Sequence, residues 1–287
     1  MNKFGVLPPG LVLDPLLRGW LLEDIGRGDR TTQSLLDEGV IRAKARWVGK
    51  APGMIVGLPV AARVFQLLNE DVNFVAVTDE GAWCEPGQVV AEIEGAMDAL
   101  LMGERVALNL VMRLSGIATL THKYVEKIAD LPVRLVDTRK TTPGLRLLEK
   151  YATAVGGAMN HRMGLDDAVM VKDNHIVAAG GIGKAMTRIR SQVPYPLTVE
   201  VETESLEQVR EALDYKADII MLDNMDLEMM KEAVRLIRQE DGSVKIEASG
   251  NVTLETIRAV AETGVDYISS SAPITQSRWL DLSMRMG

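Results

Sequence analysis

From about residue 131 the chain keeps one rhythm: a short β-branched run, then a helical stretch, repeated. The strand candidates are 133–137, 168–172, 198–202, 218–222, 244–248 and 265–269, with helical patterns at 143–156, 183–192, 205–215, 226–239 and 253–263. A parallel neighbour can only be reached by a long crossover, so serial strand–helix–strand units imply a parallel sheet with right-handed connections. Six strands in about 140 residues suit an open (β/α) barrel, with a doubly wound sheet as the alternative. No G-x-G-x-x-G follows any of these strands, which disfavours a dinucleotide-binding sheet. Helix 143–156 is expected to carry Pro143 in its first turn and Gly156-Gly157 at its end, and Thr253 is the expected N-cap of helix 253–263.

The first hundred residues read as α+β. Residues 14–22 predict a short helix, 23–32 a polar turn, 59–68 a helix, and 41–48, 72–77 and 88–93 strands. The stretch EPGQVVAEIEG at 85–95 reads as a structural hairpin. Residues 98–128 form a long helical pattern in which Ser115-Gly116 marks a break or a close helix approach.

Each strand of the second part ends in residues able to do chemistry. The tails are Asp137-Thr138-Arg139-Lys140-Thr141-Thr142, Lys172-Asp173-Asn174-His175, Glu200 with Glu202, Asp223-Asn224, Glu247 with Ser249-Gly250, and Ser269-Ser270-Ser271. In a barrel, the carboxyl ends of the strands share one mouth. Residues 134–175 hold seven Lys/Arg against five Asp/Glu, a local surplus in a chain whose net charge is -8. Arg139, Lys140, His161, Arg162 and Lys172 therefore suit a small ligand with several anionic groups. Arg146 and Lys150, four apart on one helix, read as solvated surface charges. Glu200 and Glu202 share a strand face, and with Asp223 they offer oxygen ligands to Mg²⁺ or ion-pair partners to nearby cations. Ser249-Gly250-Asn251 before a helix, and the later serines, read as a phosphate cradle. Arg105, on the long helix, is either a surface charge or a residue that reaches an anion across a subunit boundary.

Bulk properties exclude other classes. An acidic chain with 4% aromatic residues has little attraction for nucleic acid or anionic lipid. One cysteine, Cys84, rules out an intramolecular disulfide framework. With no secretory leader pattern and no apolar run near membrane-spanning length, the expected location is cytoplasmic.

The chain resembles the quinolinate phosphoribosyltransferases. The resemblance rests on EDIGRGDRTT at 23–32, GERVALN at 103–109, SGIAT at 115–119, DTRKTTPGLR at 137–146, LEKYA at 148–152, NHRMGLDD at 160–167, VKDNH at 171–175, EVE at 200–202, MLDN at 221–224 and EASGNV at 247–252. It implies an N-terminal α+β sandwich domain at 1–115, an open α/β barrel at 116–274, and a tail at 275–287 that returns to the first domain. It also implies a homodimer or larger assembly with a shared active site, to which the neighbouring subunit lends Arg105. Arg139, Lys140, His161, Arg162 and Lys172 would bind quinolinate. Glu202 and Asp223 would take the ribose and Mg²⁺, and Ser249, Gly250 and Asn251 the phosphate. Lys140, Lys172, Glu202 and Asp223 would be catalytic. Ser271, in ISSSAPIT at 268–275, stands where many relatives carry a glycine.

The implied reaction joins quinolinate to phosphoribosyl pyrophosphate, releasing nicotinate mononucleotide, pyrophosphate and CO2. Three other readings remain open on residues alone: a phosphoribosyltransferase with another pyridine or heterocyclic acceptor, a metal-dependent barrel aldolase or decarboxylase, and a non-catalytic sensor.

Overall fold

The computed structural model describes residues 5–36 and 41–287. The first half runs α1 (Gly10–Ile25), α2 (Arg30–Leu35), β1 (Arg42–Gly49), β2 (Gly53–Met54), α3 (Leu58–Leu68), β3 (Asn73–Ala76), β4 (Trp83–Cys84), β5 (Val89–Ala96) and α4 (Met97–Glu126). The second runs β6 (Arg134–Val136), α5 (Arg146–Val155), β7 (Val169–Val171), α6 (Asp173–Ala179), α7 (Ile182–Arg190), β8 (Val199–Thr203), α8 (Leu206–Asp214) and β9 (Ile219–Asp223). It closes with α9 (Leu227–Glu240), β10 (Lys245–Ser249), α10 (Ile257–Ala261), β11 (Tyr267–Ser269), α11 (Ala272–Thr275) and β12 (Leu282–Met286). No helix among the described residues is long and apolar enough to cross a membrane. The chain divides into two compact units, one of Met1–His122, Thr142–Gly157 and Gln276–Gly287, the other of Lys123–Thr141 and Ala158–Thr275.

The first unit is built on an antiparallel sheet of order β12-β1-β5-β3. Alternation sets its inner face: Ala45 and Trp47 on β1 are buried while Lys44 and Arg46 are exposed. Trp47 meets Phe65 and Phe74 edge-on at 6.2 and 5.6 Å, a favoured aromatic geometry. The C-terminal strand β12 pairs with β1 from Ala45↔Met286 to Gly49↔Leu282. The turn between β4 and β5 is not a hairpin, because β4 pairs with β2 while β5 pairs with β1 and β3. Helix α1 begins four residues before the expected 14–22 segment and carries Pro15 inside it; the carbonyl that Pro15 leaves unbonded is that of Leu11, a highly exposed residue that water can serve. The expected polar turn at 23–32 gives way at Arg30 to α2, capped by the Asp29 carboxylate on Thr31 N and Thr32 N.

Two well-partnered carboxylates tie this unit together. Glu80 accepts from Gly57 N, Leu58 N and the Tyr151 hydroxyl, so it serves the start of α3 where a carboxylate is favoured. Burial nonetheless pushes its pKa upward. Glu149 is fully buried and accepts from Arg113 Nε and Nη2, from Thr142 N and from the Thr142 hydroxyl. Arg113 Nη1 also donates to Ser277 Oγ at 3.0 Å. A charge this buried is tolerable only with such a complete set of partners. Lys150, expected to be a solvated charge, is fully buried and partnered, because α5 turns that face inward. Helix α5 also starts at Arg146, leaving Pro143 in the preceding turn.

The second unit is a six-stranded parallel sheet of order β6-β11-β10-β9-β8-β7. The strands follow chain order around the sheet except that the first, β6, lies beside the last, β11. That is the cyclic order of a barrel left open between β6 and β7, and not a doubly wound sheet, in which the order reverses inside the sheet. At the open edge, Met159 bridges Val136 in parallel, with Met159 N donating to Leu135 O and Asp137 N to Met159 O. Helix α10 spans only Ile257–Ala261; Thr253 precedes it in a turn where its hydroxyl accepts from Glu255 N and its own N–H donates to Thr256 Oγ1. The expected helix start near Thr253 is therefore displaced by four residues.

The α4 segment at Ser115-Gly116 is unbroken, and its small residues serve close approach instead. Ser115 Oγ accepts from Val56 N at 2.9 Å. A Cβ on Gly116 would lie 2.0 Å from the Arg278 carbonyl oxygen, with no flexible side chain to yield. Gly116→Ala is expected to destabilise the chain by about 2 kcal/mol or more through this backbone clash. Urea unfolding measures it, and an unchanged midpoint would rule out the close approach.

Candidate active site

The carboxyl ends of the parallel strands surround a cavity of about 540 Å³. Thr138, Arg139 and Lys140 follow β6, Lys172 follows β7, Glu202 lies on β8, and Asp223 and Asn224 end β9. Glu247, Ser249, Gly250 and Asn251 come from β10 and its turn, and Ser269 from β11. His161 and Arg162 enter from the segment that bridges the open edge, with Met170 and Met221 as apolar lining. A larger hollow of about 1020 Å³ lies over the antiparallel sheet, but its charges are spent on cross-strand pairs such as Lys44–Glu94 and Arg46–Glu92.

Asp137 builds one wall. It is buried, with Oδ1 accepting from His161 N at 2.9 Å and Oδ2 from Asn160 Nδ2 at 2.7 Å. It thus aims His161 and Arg162 and is itself no ligand group. His161 Nδ1 accepts the Arg162 N–H at 2.7 Å. A ring nitrogen that accepts carries no proton, so the proton of the neutral ring sits on Nε2. Nε2 lies 3.1 Å from Glu200 Oε2 and 3.5 Å from Glu247 Oε2. The three ligand atoms of this group lie within 4.8 Å of one another, a spacing a metal ion could bridge. A protonated Nε2 has no lone pair to offer, so the arrangement is a donor between two carboxyl groups. Both ring nitrogens are engaged within the protein.

The cations are held less completely. Arg139 Nε is buried without a hydrogen-bond partner among the described residues. Arg162 donates to the Ala168 carbonyl at 3.0 Å, and burial, then the charge of Arg139, lowers its pKa. Two guanidinium groups that raise each other's cost are a place for an anion. Lys172 Nζ donates to Glu202 Oε2 at 2.9 Å, joining the cationic and acidic sides.

Glu202 and Glu200 share a face of β8 but differ in depth. Glu202 lines the cavity, whereas Glu200 is buried beneath it beside His161. Glu247, named from the sequence only as a strand tail, lies at the floor and is 3% exposed. Its pKa is pushed up to about 7, first by burial and then by the charge of Glu200, against the opposing pull of His161. No one-dimensional signal separates it from an ordinary strand glutamate, since its environment is made by four other segments.

The turns after β9 and β10 are backbone-built. Asn224 and Asn251 have positive φ of 53° and 49°, and Asn224 N donates to Ser249 O. Gly250 has φ +103°, and a Cβ there would lie 2.2 Å from Asn224 Oδ1, so only glycine fits. With α10 beginning only at Ile257, any phosphate contact here comes from this turn and not from a helix start.

Two expected residues are not brought to the cavity. Ser271 does not line it: β11 ends at Ser269, which does, and by Ser271 the chain has turned so that the Ser271 carbonyl receives Ile274 N and Thr275 N of α11. Arg105 belongs to the first unit, exposed on α4, and shares a recess of about 280 Å³ with Trp20, Glu23, Asp24, Asn109 and Leu145.

Comparison with known proteins also gives two parts, although residues 142–157 and 276–285 of the first compact unit fall in the second. The family described as quinolinate phosphoribosyl transferase, N-terminal domain, matches residues 29–115, and the C-terminal domain of the same family matches 117–285. The chain is 60% identical over 280 residues to a probable carboxylating nicotinate-nucleotide pyrophosphorylase of Synechocystis, covering 98% of this chain and 94% of that one. It is 44% identical over 274 residues to the corresponding Bacillus subtilis protein, covering 96% and 93%. The crystal structure of NadC from Streptococcus pyogenes superposes with a TM-score of 0.92 at 41% identity, over 98% of this chain and 99% of that one. The nicotinate-nucleotide pyrophosphorylase of Francisella tularensis gives 0.92 at 36% identity over 100% of both.

Asp137→Ala leaves two donors without an acceptor. It is expected to cost about 2 kcal/mol or more in stability and to release the 159–162 segment. Urea unfolding with amide hydrogen exchange at residues 160–162 checks this; unchanged protection there would contradict the anchoring role.

Proposed function

The chain belongs to the quinolinate phosphoribosyltransferase family, and from that premise we propose that it transfers the phosphoribosyl group of phosphoribosyl pyrophosphate to quinolinate with loss of CO2, giving nicotinate mononucleotide and pyrophosphate. The observation that carries this reading is the convergence of Arg139, Lys140, Arg162 and Lys172 with Glu202 and Asp223 in one strand-end cavity. A dicarboxylate needs several cations, and a ribose with a diphosphate needs the acidic side for hydroxyls and metal.

In this reading Arg139, Arg162, Lys140 and Lys172 hold the two carboxylates and turn the ring nitrogen toward the anomeric carbon. Positioning of this kind lowers the barrier to a bimolecular displacement. The transition state is oxocarbenium-like by analogy with glycoside chemistry. Ser249, Gly250 and Asn251 receive the phosphate of the ribose. Glu202 and Asp223 present hard, partly exposed oxygen atoms from adjacent strands, a donor set that fits Mg²⁺ with water and phosphate completing its shell. When bound, Mg²⁺ neutralises charge on the departing pyrophosphate. After transfer, the pyridinium accepts the electron pair of the departing carboxylate, and Lys140 and Lys172 stabilise the charge that remains.

Arg105 completes the quinolinate site from a neighbouring copy in a homodimer or larger assembly. Its exposure on α4 supports that role. A cytoplasmic location is part of the same reading.

Purified protein given quinolinate, phosphoribosyl pyrophosphate and Mg²⁺ is expected to form nicotinate mononucleotide and CO2, and to form little when nicotinate replaces quinolinate. Turnover of nicotinate alone, or binding without product, would overturn the reading. Arg105→Ala and Lys172→Ala are each expected to cut turnover at least about tenfold, or about 1.4 kcal/mol of barrier. Mixing these two inactive variants under exchange conditions is expected to restore part of the activity, because a hybrid dimer assembles one intact site. No recovery in confirmed hybrids would place Arg105 outside the shared site.

A further inference from the structure

Loss of CO2 from an alkylated ring leaves an electron pair on a ring carbon, and that carbon must take up a proton. This requirement rests on the function proposed above, which names no acid for the step. Four cations, Glu202 and Asp223 line the cavity as groups for binding anions and metal. Glu247 is different in kind. It lines the floor, is almost fully buried, and its Oε1 has no hydrogen-bond partner among the described residues.

The groups facing Glu247 come from four elements. Glu200 on β8 is a second buried carboxyl group, His161 reaches it from the bridging segment, Lys172 from the end of β7, and the Ser269 hydroxyl from β11. On β9 its backbone neighbour is Met221, which carries no charge. Two carboxyl groups share the single Nε2–H of His161. Two buried negative charges with one donor between them are costly, so one of the pair is held as the acid, and Glu247 is the one that lines the cavity. A neutral Glu247 also suits a cavity that binds a dianion, since an ionised floor would repel it.

We propose that Glu247 is the acid that protonates the ring carbon from which the carboxylate departs. The carbon–carbon bond to the carboxylate breaks, CO2 leaves without the electron pair, and the pair remains on the ring carbon beside the alkylated nitrogen. The Oε–H bond of Glu247 then breaks and its proton forms the new C–H bond. Glu247 is left ionised beside Glu200, an arrangement that favours recovery of a proton from water once product leaves.

The test is a single-turnover measurement of nicotinate mononucleotide formation across roughly pH 6 to 9, with enzyme in excess over quinolinate, in the presence of phosphoribosyl pyrophosphate and Mg²⁺. The acid form is required, so the wild-type rate is expected to fall as pH rises past neutrality, in line with a pKa of about 7. Glu247→Gln keeps the shape of the neutral acid but has no acidic proton. It is expected to bind quinolinate within about twofold of wild type, to react at least about tenfold more slowly, and to show no falling limb. Glu247→Asp is expected to keep the limb at a reduced rate. A wild type with no falling limb overturns the proposal, and that arm does not depend on any variant folding. Glu247→Gln at the wild-type rate also overturns it, as does a slower Glu247→Gln that keeps the wild-type limb, which marks a purely structural role. Wild-type protein that makes no nicotinate mononucleotide at any pH is instead a failure of the transferase reading.

Discussion

Parallel strands must all end at the same edge of their sheet, and the chemistry of this chain depends on that constraint. Hydrogen bonding in register from β6 through β11 to β7 brings Arg139, Lys172, Glu202, Asp223, Ser249 and Ser269 to one cavity, though they are spread over about half of the chain. The crossover helices between them carry the apolar faces that keep the sheet buried. Ile220, Leu222, Ile246, Ala248 and Ile268 are fully buried on its strands, so residues beyond the strand ends can vary in polarity without disturbing the core. The open edge adds something a closed barrel lacks. Met159 bridges β6 there, and Asp137 uses the bridge to set His161 and Arg162 beside the other cations.

The electrostatics of the cavity follow from this crowding. Arg139 and Arg162 raise each other's cost, while Glu200 and Glu247 do the same below them. Neither pair stabilises the fold as it stands. The sheet carries the glutamates of the second pair, and Asp137 anchors the segment that carries Arg162. The contrast with Glu149 is instructive: that carboxylate is as deeply buried, yet four donor contacts from Arg113 and Thr142 answer it. It is structural, whereas Glu247 has an oxygen without a partner.

Much of this was legible in the residues. The strand rhythm located all six parallel strands because buried β-branched runs are short-range signals, and the polar tails identified the mouth because strand direction is shared. What failed depended on contacts between distant segments. Lys150 looked like a helix-surface charge, but its face turns inward. Thr253 resembles an N-cap, yet its backbone N–H bonds Thr256 Oγ1 in a separate turn, so the turn after β10 does not lead straight into a helix. The polar strand tail Asp173-Asn174-His175 opens helix α6 instead, with His175 Nδ1 accepting from Lys172 N at its start. Ser269 and Ser271 are indistinguishable in composition, and only the point where β11 ends separates them. The depth of Glu247 is a property of four converging segments.

The central claim is that the strand-end cavity holds a pyridine dicarboxylate between its cations and its acidic wall. A crystal structure of the chain with quinolinate bound tests it most directly. The two carboxylates are expected within hydrogen-bonding distance of Arg139, Arg162 and Lys172, with the ring nitrogen facing the side of Glu202 and Asp223. Quinolinate ordered over the antiparallel sheet instead, with the strand-end cavity unchanged, would contradict it.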